Sequence, residues 1–314
     1  MNSTVIEVEG LRKEYRRVRG GRTLAVDGLD MHVPEGGVFG FLGPNGAGKT
    51  TTIRCLLGLV RPTAGRCTLL SAEVHAALAS VIGRVGAIVE TPALYPRFSG
   101  RLNLELLGRL HGIGRRAVDA VLDQVGLADR AGDQVRTYSL GMKQRLGIAA
   151  ALLKDPELLI LDEPANGLDP AGIKEVRDLV RRLGSQGRTV FVSSHQLAEV
   201  QQMCDRVAIL SRGRLVATGR VAEVLSRGRR EVLIVKLREL EEGLGALRSA
   251  GLEAAMDDGM LRVHLPASEG ARVTEILASR GMFVSELRPE EVSLEDVFLE
   301  LTQGPSPAQD HVAE

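Results

Sequence analysis

A glycine-rich segment that ends in Lys-Thr is the strongest chemical signal in the chain. Residues 43–50 read Gly-Pro-Asn-Gly-Ala-Gly-Lys-Thr and directly follow the apolar run Val38–Leu42. This is the phosphate-loop pattern G-x-x-x-x-G-K-[ST], placed between a predicted strand and a predicted helix. Glycines let backbone N–H groups turn toward phosphate oxygens, and the helix that begins near Lys49 points the positive end of its dipole at them. The segment therefore predicts a nucleoside triphosphate site.

The side chains of this loop suit separate tasks. Lys49 is expected to reach the outer phosphates and to act in catalysis, and the Thr50 hydroxyl is expected to bind Mg²⁺. A glycine-rich turn without a ligand is the alternative, which the Lys-Thr pair disfavours. The residues predicted to bind nucleotide here are Gly43, Pro44, Asn45, Gly46, Ala47, Gly48, Lys49, Thr50 and Thr51.

Two adjacent carboxylates, Asp162 and Glu163, follow the apolar run Leu158–Leu161. Successive side chains of a strand point in opposite directions, which suits two different roles. Asp162 is predicted to hold Mg²⁺ beside Thr50. Glu163 is predicted to orient and deprotonate the water that attacks the γ-phosphate, a contribution of about 10²–10⁴-fold.

Composition narrows the classes of protein that are compatible with these motifs. The chain has 314 residues, 44% hydrophobic and 25% charged, and its 40 basic and 40 acidic residues cancel. It is therefore expected to be folded and to have no nucleic acid partner. The three cysteines form no C-x-x-C pair, which suits reduced thiols in the cytoplasm. We expect no secretion signal and no membrane helix, because no apolar stretch approaches about 18–20 residues.

Short β-branched runs alternate with helical patterns through the first two thirds of the chain. The predicted strands are Val5–Val8, Val38–Leu42, Val85–Val89, Leu158–Leu161, Thr189–Val192 and Val207–Leu210. The predicted helices are Lys49–Leu59, Leu102–Leu110, Arg115–Val125, Leu140–Leu153 and Ala171–Leu183. This alternation predicts βαβ units and a largely parallel sheet covered by helices.

A change of composition at residues 220–230 indicates a second domain. Strand patterns at 230–237, 261–265 and 283–287 enclose helical patterns at 240–250 and 269–279, an order that resembles a small ferredoxin-like sandwich. Ser293 and Asp296 have capping-box spacing, which predicts a last helix, Leu294–Leu301. The predicted domains are 1–222, an α+β domain 223–302 and a disordered tail 303–314.

The segment Thr137–Leu146, which reads T-Y-S-L-G-M-K-Q-R-L, resembles the signature motif of ABC-type ATPases. The usual pattern is L-S-G-G-Q; here Tyr138 replaces Leu and Leu140 replaces the first Gly. The resemblance implies that Ser139 and Gly141 contact the γ-phosphate bound to the phosphate loop of a second copy. An ordinary capped helix is the alternative.

Three further positions match motifs of that family. Asp169, in Asn166-Gly167-Leu168-Asp169, matches the D-loop, although helix capping before a proline is a rival explanation. His195 matches the switch histidine that donates to the γ-phosphate, against a purely structural role at a strand end. Tyr15 resembles the aromatic residue that stacks on adenine.

Glu90 stands where the family usually has Gln. A carboxylate is also a hard oxygen ligand, so Glu90 joins Thr50 and Asp162 as a predicted Mg²⁺ ligand. Glu90 together with the Y-S-L-G-M sequence resembles the exporter branch that handles bacitracin, lantibiotics and related drugs.

The resemblance covers Val5 to about Gly219. It implies an α/β ABC-type P-loop NTPase fold, with a RecA-like core, a helical subdomain at about 100–153 and a small α+β C-terminal domain. It also implies an ATP- and Mg²⁺-dependent ATPase that forms a head-to-tail dimer and drives a separate permease from the cytoplasmic face of the membrane. The C-terminal segment Ser293–Phe298 resembles the tail domain of some drug-exporter ATPases, for which a regulatory or dimer-stabilising role is expected.

Other classes remain as alternatives. A soluble ABC ATPase that serves translation, iron–sulfur assembly or DNA maintenance keeps the hydrolysis and drops the transport. A regulator that binds nucleotide without hydrolysis is disfavoured because Glu163 and His195 are both present.

Overall fold

The computed structural model describes residues 3–16, 20–227, 231–290 and 293–302. The predicted disordered tail 303–314 lies outside the described residues, as does part of the arginine-rich segment 220–230. The described residues divide into two compact units, residues 3–221 with 301–302, and residues 222–300.

The elements of the first unit are as follows. Its strands are β1 (Thr4–Arg16), β2 (Arg22–Pro34), β3 (Gly37–Leu42), β4 (Ala64–Leu69), β5 (Ala72–Glu73), β6 (Val85–Ile88), β7 (Leu158–Asp162), β8 (Thr189–Ser194), β9 (Arg206–Ser211) and β10 (Arg214–Arg220). Its helices are α1 (Lys49–Leu56), α2 (Val74–Ala77), α3 (Gly100–Arg109), α4 (Arg115–Gln124), α5 (Leu140–Leu152), α6 (Pro170–Ser185) and α7 (Leu197–Met203). Helix α8 (Val221–Arg227) follows.

The central sheet has the strand order β10-β9-β3-β8-β7-β6, and only the β10–β9 pair is antiparallel in the described chain. Leu42 pairs with Ser194, and Asp162 pairs with Ser193. The carboxyl ends of β3, β7 and β8 therefore meet at one edge. That edge brings together the phosphate loop, the Asp-Glu pair and His195, as expected for ligand sites of open α/β sheets.

A second sheet, of order β2-β1-β4-β5, was missed by the sequence analysis. Strands β1 and β2 pair in antiparallel fashion from Thr4 with Pro34 to Arg16 with Arg22. The reason is that β1 carries charged residues along its outer face, so that apolar alternation is interrupted. Arg12, for example, is paired with Glu14 at 2.5 Å and with Asp27 at 2.9 Å.

Helix α5 packs directly on the edge of the central sheet. A Cβ atom added to Gly86 of β6 would lie 2.3 Å from the carbonyl oxygen of Ala151. A Cβ atom added to Gly147 of α5 would lie 2.3 Å from Cγ of Pro92. Glycine at both positions therefore lets the helix approach β6 and the segment after it more closely than any side chain would allow.

The second unit has a sheet of its own. Its strands are β11 (Val232–Lys236), β12 (Ala254–Asp257), β13 (Met260–His264) and β14 (Glu286–Pro289), and its helices are α9 (Leu240–Ser249), α10 (Gly270–Ala278) and, up to Glu300, α11 (Leu294–Thr302). The strand order β12-β13-β11-β14, with antiparallel neighbours, is that of the ferredoxin-like arrangement. Strand β12 was not predicted.

The last helix begins where the capping box predicts. The Ser293 N–H donates to Oδ2 of Asp296 at 2.8 Å, and the Asp296 N–H donates to Oγ of Ser293 at 3.2 Å. These reciprocal bonds satisfy N–H groups that the first helical turn leaves without partners.

None of the described helices has the length and apolar character needed to cross a membrane.

The three cysteines are buried and are expected to be chemically inert. Burial raises the pKa of the Cys67 thiol to about 12 and also raises the pKa of the Cys204 thiol. Because the thiolate is the reactive form, Ellman's reagent at pH 8 should label the native protein slowly and the guanidinium-unfolded protein at all three positions. Rapid labelling of the native protein would contradict this expectation.

Candidate functional site

The phosphate loop is held in a shape that requires glycine. Gly48 has φ +107°, and a Cβ atom there would lie 2.5 Å from the carbonyl oxygen of Ala25. Gly46 has φ +81°, which also favours glycine. The Gly43 N–H donates to the Ser194 carbonyl at 3.3 Å, which ties the start of the loop to the end of β8.

The ammonium group of Lys49 lies inside this loop. Its side chain is only 6% exposed. Nζ donates to the carbonyl oxygens of Gly43 at 2.7 Å and Pro44 at 3.3 Å, and lies 3.1 Å from Oε1 of Glu163. The loop therefore encloses a positive charge directed toward the end of β7.

The Glu163 carboxylate bridges two predicted catalytic groups. While Oε1 faces Lys49, Oε2 lies 2.7 Å from Nδ1 of His195 and accepts from the His195 N–H at 3.3 Å. Glu163 has φ +49°, a left-handed conformation that is uncommon for this residue type. The structure thus brings Lys49, Glu163 and His195 into one contiguous group.

Ser193 connects the two carboxylates, and the sequence analysis gave it no role. Its hydroxyl donates to Oδ1 of Asp162 and accepts from the Glu163 N–H at 3.0 Å. Asp162 is 4% exposed and Ser193 is fully buried. A serine at the carboxyl end of the strand beside the Asp-Glu strand is the signal that would have found it.

Replacing Ser193 with Ala should leave the Asp162 carboxylate without its buried donor. Loss of such a bond costs about 1–3 kcal/mol of stability, and loss of an orienting partner costs about 10–100-fold in metal affinity or activity. Urea unfolding and ATPase rates across a Mg²⁺ titration would measure both effects. Ser211→Ala, at the end of β9, is the matched control. Equal Mg²⁺ dependence in the two variants would contradict a role for Ser193.

A further acidic group near His195 is Glu199 of α7. Burial raises the pKa of its carboxyl group, while the charges of His195 and Arg177 act in the opposite direction. The sequence analysis did not single out this residue. Its position adds a carboxyl group within electrostatic range of Glu163.

The other residues predicted to bind nucleotide lie in the phosphate loop, in the first turn of α1 and in β1. Thr50 and Thr51 occupy the first turn of α1 and are partly exposed, whereas Pro44 and Asn45 are exposed and Ala47 is buried. The partly buried Tyr15 lies in β1, with the ammonium group of Lys13 5.0 Å from its ring centroid.

Ser139, Gly141 and Asp169 form a second group at the starts of α5 and α6. Oγ of Ser139 accepts from the Met142 N–H at 3.2 Å, and Oδ1 of Asp169 accepts from the Gly172 N–H at 3.0 Å. A Cβ atom on Gly141 would lie 3.6 Å from Cα of Gly172, so the two helix starts are adjacent. The Ser139 and Asp169 side chains therefore cap the starts of α5 and α6 within this chain.

Within the described residues Glu90 makes no hydrogen bond or ion pair with the Lys49–Glu163–His195 group. It has φ +63°, and its carboxylate is paired with Arg54 of α1. No group of three or more His, Cys, Asp or Glu side chains is arranged to hold a metal ion in the part of the chain that the structure describes.

Comparison with known proteins identifies the family. Residues 26–166 match the family described as ABC transporter. The chain is 42% identical over 301 residues to an uncharacterized ABC transporter ATP-binding protein, YhcH, of Bacillus subtilis (strain 168), covering 95% of this chain and 96% of the relative. The chain belongs to the ABC transporter ATP-binding proteins.

Two other similarities support this assignment. This ABC ATPase is 39% identical over 308 residues to the bacitracin transport ATP-binding protein BcrA of Bacillus licheniformis, covering 96% of this chain and 98% of the relative. The solved structure of cbiO1 from Clostridium perfringens, part of an ABC transporter complex, shares its fold with a TM-score of 0.64 at 27% identity. That match covers 72% of this chain and 92% of the other.

These findings confirm the predicted ABC-type P-loop NTPase fold and the predicted activity. The protein binds and hydrolyses ATP as the ATP-binding subunit of an ABC transporter. The transport role is favoured over the alternative of a soluble ATPase without a transporter.

Proposed function

We propose that this ABC ATPase powers the export of peptide antibiotics or related drugs through a separate membrane permease. Its similarity to a bacitracin transport protein extends over nearly the full length of both chains, which supports the substrate class. The observation that carries the motor role is the Glu163 carboxylate, held between Lys49 at 3.1 Å and His195 at 2.7 Å.

In this proposal the residues of the site divide the work of hydrolysis. The N–H groups of the loop and the Lys49 ammonium bind the phosphates, and Tyr15 stacks on the adenine. Glu163 orients the attacking water and takes its proton, a step that its hydrogen-bonded position favours. His195 donates to the γ-phosphate.

Mg²⁺ fits the donor set that the site presents. Magnesium prefers oxygen ligands and is usually held by one or two carboxylates together with phosphates and water. Thr50, in the first turn of α1, and Asp162, whose carboxylate is oriented by Ser193, would hold it, with Glu90 as a further candidate. When bound, the ion supplies positive charge that offsets the charge of the phosphates.

A head-to-tail dimer would complete the site. Ser139 and Leu140 are exposed at the start of α5, and a helix N-terminus favours an anion. We propose that Ser139 and Gly141 of one copy face the γ-phosphate held by the other copy, with Asp169 at the same interface. Closure on ATP and opening after hydrolysis would then move the permease, from the cytoplasmic face of the membrane.

The dimer is tested by mixing two singly substituted chains, Ser139→Cys and Asn45→Cys, in a Glu163→Gln background. A bismaleimide reagent should join the two chains when ATP is present, because the exposed cysteines face each other only across the interface. Ser185→Cys, at the far end of α6, replaces Ser139→Cys in the control. A cross-link yield that is the same with the control, or independent of ATP, would contradict the arrangement.

The transport role is tested in cells that express this chain with the permease found by pull-down from native membranes. Bacitracin resistance should rise with the wild-type chain and not with Glu163→Gln. Equal resistance in the two strains would contradict the proposed export, whereas it would leave the ATPase activity of the purified protein unaffected.

A further inference from the structure

An ion pair links the nucleotide helix to the segment that follows β6. The Arg54 guanidinium of α1 contacts the Glu90 carboxylate directly, with the two side chains 38% and 62% exposed. Within the described residues this contact is the only ion pair of Glu90. The Arg54 guanidinium of α1 therefore offsets the negative charge of the Glu90 carboxylate.

The position of Arg54 on α1 relates this pair to the first turn of the helix. Arg54 follows Thr50 by four residues, so both lie on one face of the helix. Side chains of a helix lean toward its N-terminus and cover the preceding turn. The guanidinium thus holds the Glu90 carboxylate near the first turn of α1, where the proposed function places the triphosphate.

The strand register leads to the same place. Ile88 of β6 pairs with Leu161 of β7. Glu90 lies two residues after Ile88, and Glu163 lies two residues after Leu161. Both glutamates therefore follow the carboxyl ends of neighbouring parallel strands. The left-handed φ of +63° at Glu90 is unfavourable for a residue with a side chain, so the surrounding contacts fix this backbone.

The charges of this edge make a free carboxylate at Glu90 unfavourable for ATP. Asp162 and Glu163 already contribute two carboxylates, and Lys49 is paired with Glu163 at 3.1 Å. A triphosphate adds several negative charges more, and like charges at short range repel. Arg54 is the cation that faces Glu90.

We propose that Arg54 is a positioning residue that neutralises Glu90 and keeps its carboxylate from repelling bound ATP. This inference rests on the proposed nucleotide site and adds to it a charge pair at its edge. It predicts that loss of Arg54 weakens ATP binding and that removing the Glu90 carboxylate as well restores it.

Single and double variants of this chain test the proposed compensation. The dissociation constant of a fluorescent ATP analogue is measured in EDTA, without Mg²⁺, for wild type, Arg54→Leu, Glu90→Gln and the double variant. Arg54→Leu should weaken binding by about 5–10-fold. Adding Glu90→Gln should restore most of that loss, and Glu90→Gln alone, which leaves the Arg54 charge unopposed, should tighten binding by a similar factor. Raising the salt concentration should reduce the effect of Arg54→Leu.

Two controls separate charge compensation from other causes. Arg54→Lys keeps the charge and should retain affinity within about 3-fold. The exposed pair of Arg66 and Glu9, 2.5 Å apart on β4 and β1, undergoes the same charge changes in parallel, and these should leave the affinity for ATP unchanged. Circular dichroism checks folding, and Arg54→Gln replaces Arg54→Leu if the latter is misfolded.

The outcomes are distinct. Failure of Glu90→Gln to restore affinity in the Arg54→Leu background would overturn this inference and leave the proposed function standing. A wild-type chain that binds no ATP would overturn the proposed function and this inference together. Restoration of affinity in the double variant supports the inference.

Discussion

Glu163→Gln should lower the turnover number for ATP by about 10²–10⁴-fold, the contribution of a positioned general base. The amide has the shape of the carboxylate, yet it cannot take a proton from water. ATP binding should persist, because the loop glycines and Lys49 remain in place. Phosphate release under single-turnover conditions measures the chemical step, and equilibrium binding of the fluorescent ATP analogue measures affinity.

Glu157→Gln is the matched control for this experiment. Glu157 directly precedes β7 at its opposite end and pairs with Arg84 at 2.6 Å on the surface. Its replacement should leave turnover within about 2-fold, because exposed ion pairs contribute little. Near-normal hydrolysis by Glu163→Gln would refute its assignment as the base.

Lys49→Met should weaken ATP binding by about 10–100-fold, since hydrogen bonds to charged groups contribute about 1.5–3 kcal/mol. The Lys49 side chain is nearly buried within the loop, so water replaces its ammonium group poorly. The change also leaves Glu163 without its cation at 3.1 Å, which places an uncompensated carboxylate facing the phosphates. Equilibrium binding in EDTA measures this loss without the contribution of Mg²⁺.

Lys174→Met removes the same charge from an exposed position on α6. It should leave the dissociation constant unchanged, since screening weakens the interaction of exposed charges beyond about 10 Å at 0.1 M salt. If Lys49→Met and Lys174→Met bound ATP equally well, the phosphate role of Lys49 would be wrong.

Strands β3, β6, β7, β8 and β9 of the central sheet were predictable because they are largely buried, whereas β10, which has exposed residues along its length, was not predicted. Residues 158–161 and 189–192 are apolar or buried along their whole length, and such runs are recognisable in sequence. Strands β1 and β2 were missed beyond Val8, because one face is exposed and charged. Pairing between their residues, not composition, defines that sheet.

The site likewise contains some residues that the sequence predicts and some contacts that it does not. The phosphate loop and Glu163 have local signals, because each depends on a few consecutive residues. The bond from Ser193 to Asp162 and the pairing of Arg54 with Glu90 join residues that are 31 and 36 positions apart. Only the register of the strands and the placement of α1 bring them together, so no local pattern announces them.

The glycine contacts of α5 have a mechanical consequence. Gly147, which abuts Pro92 just after Glu90, lies eight residues beyond Ser139, or about 12 Å along the helix axis at 1.5 Å per residue. At Gly147 the Pro92 ring packs directly against the helix backbone, because glycine has no side chain to separate them. A displacement of Pro92 is therefore passed directly to the backbone of α5, the helix that begins beside Ser139.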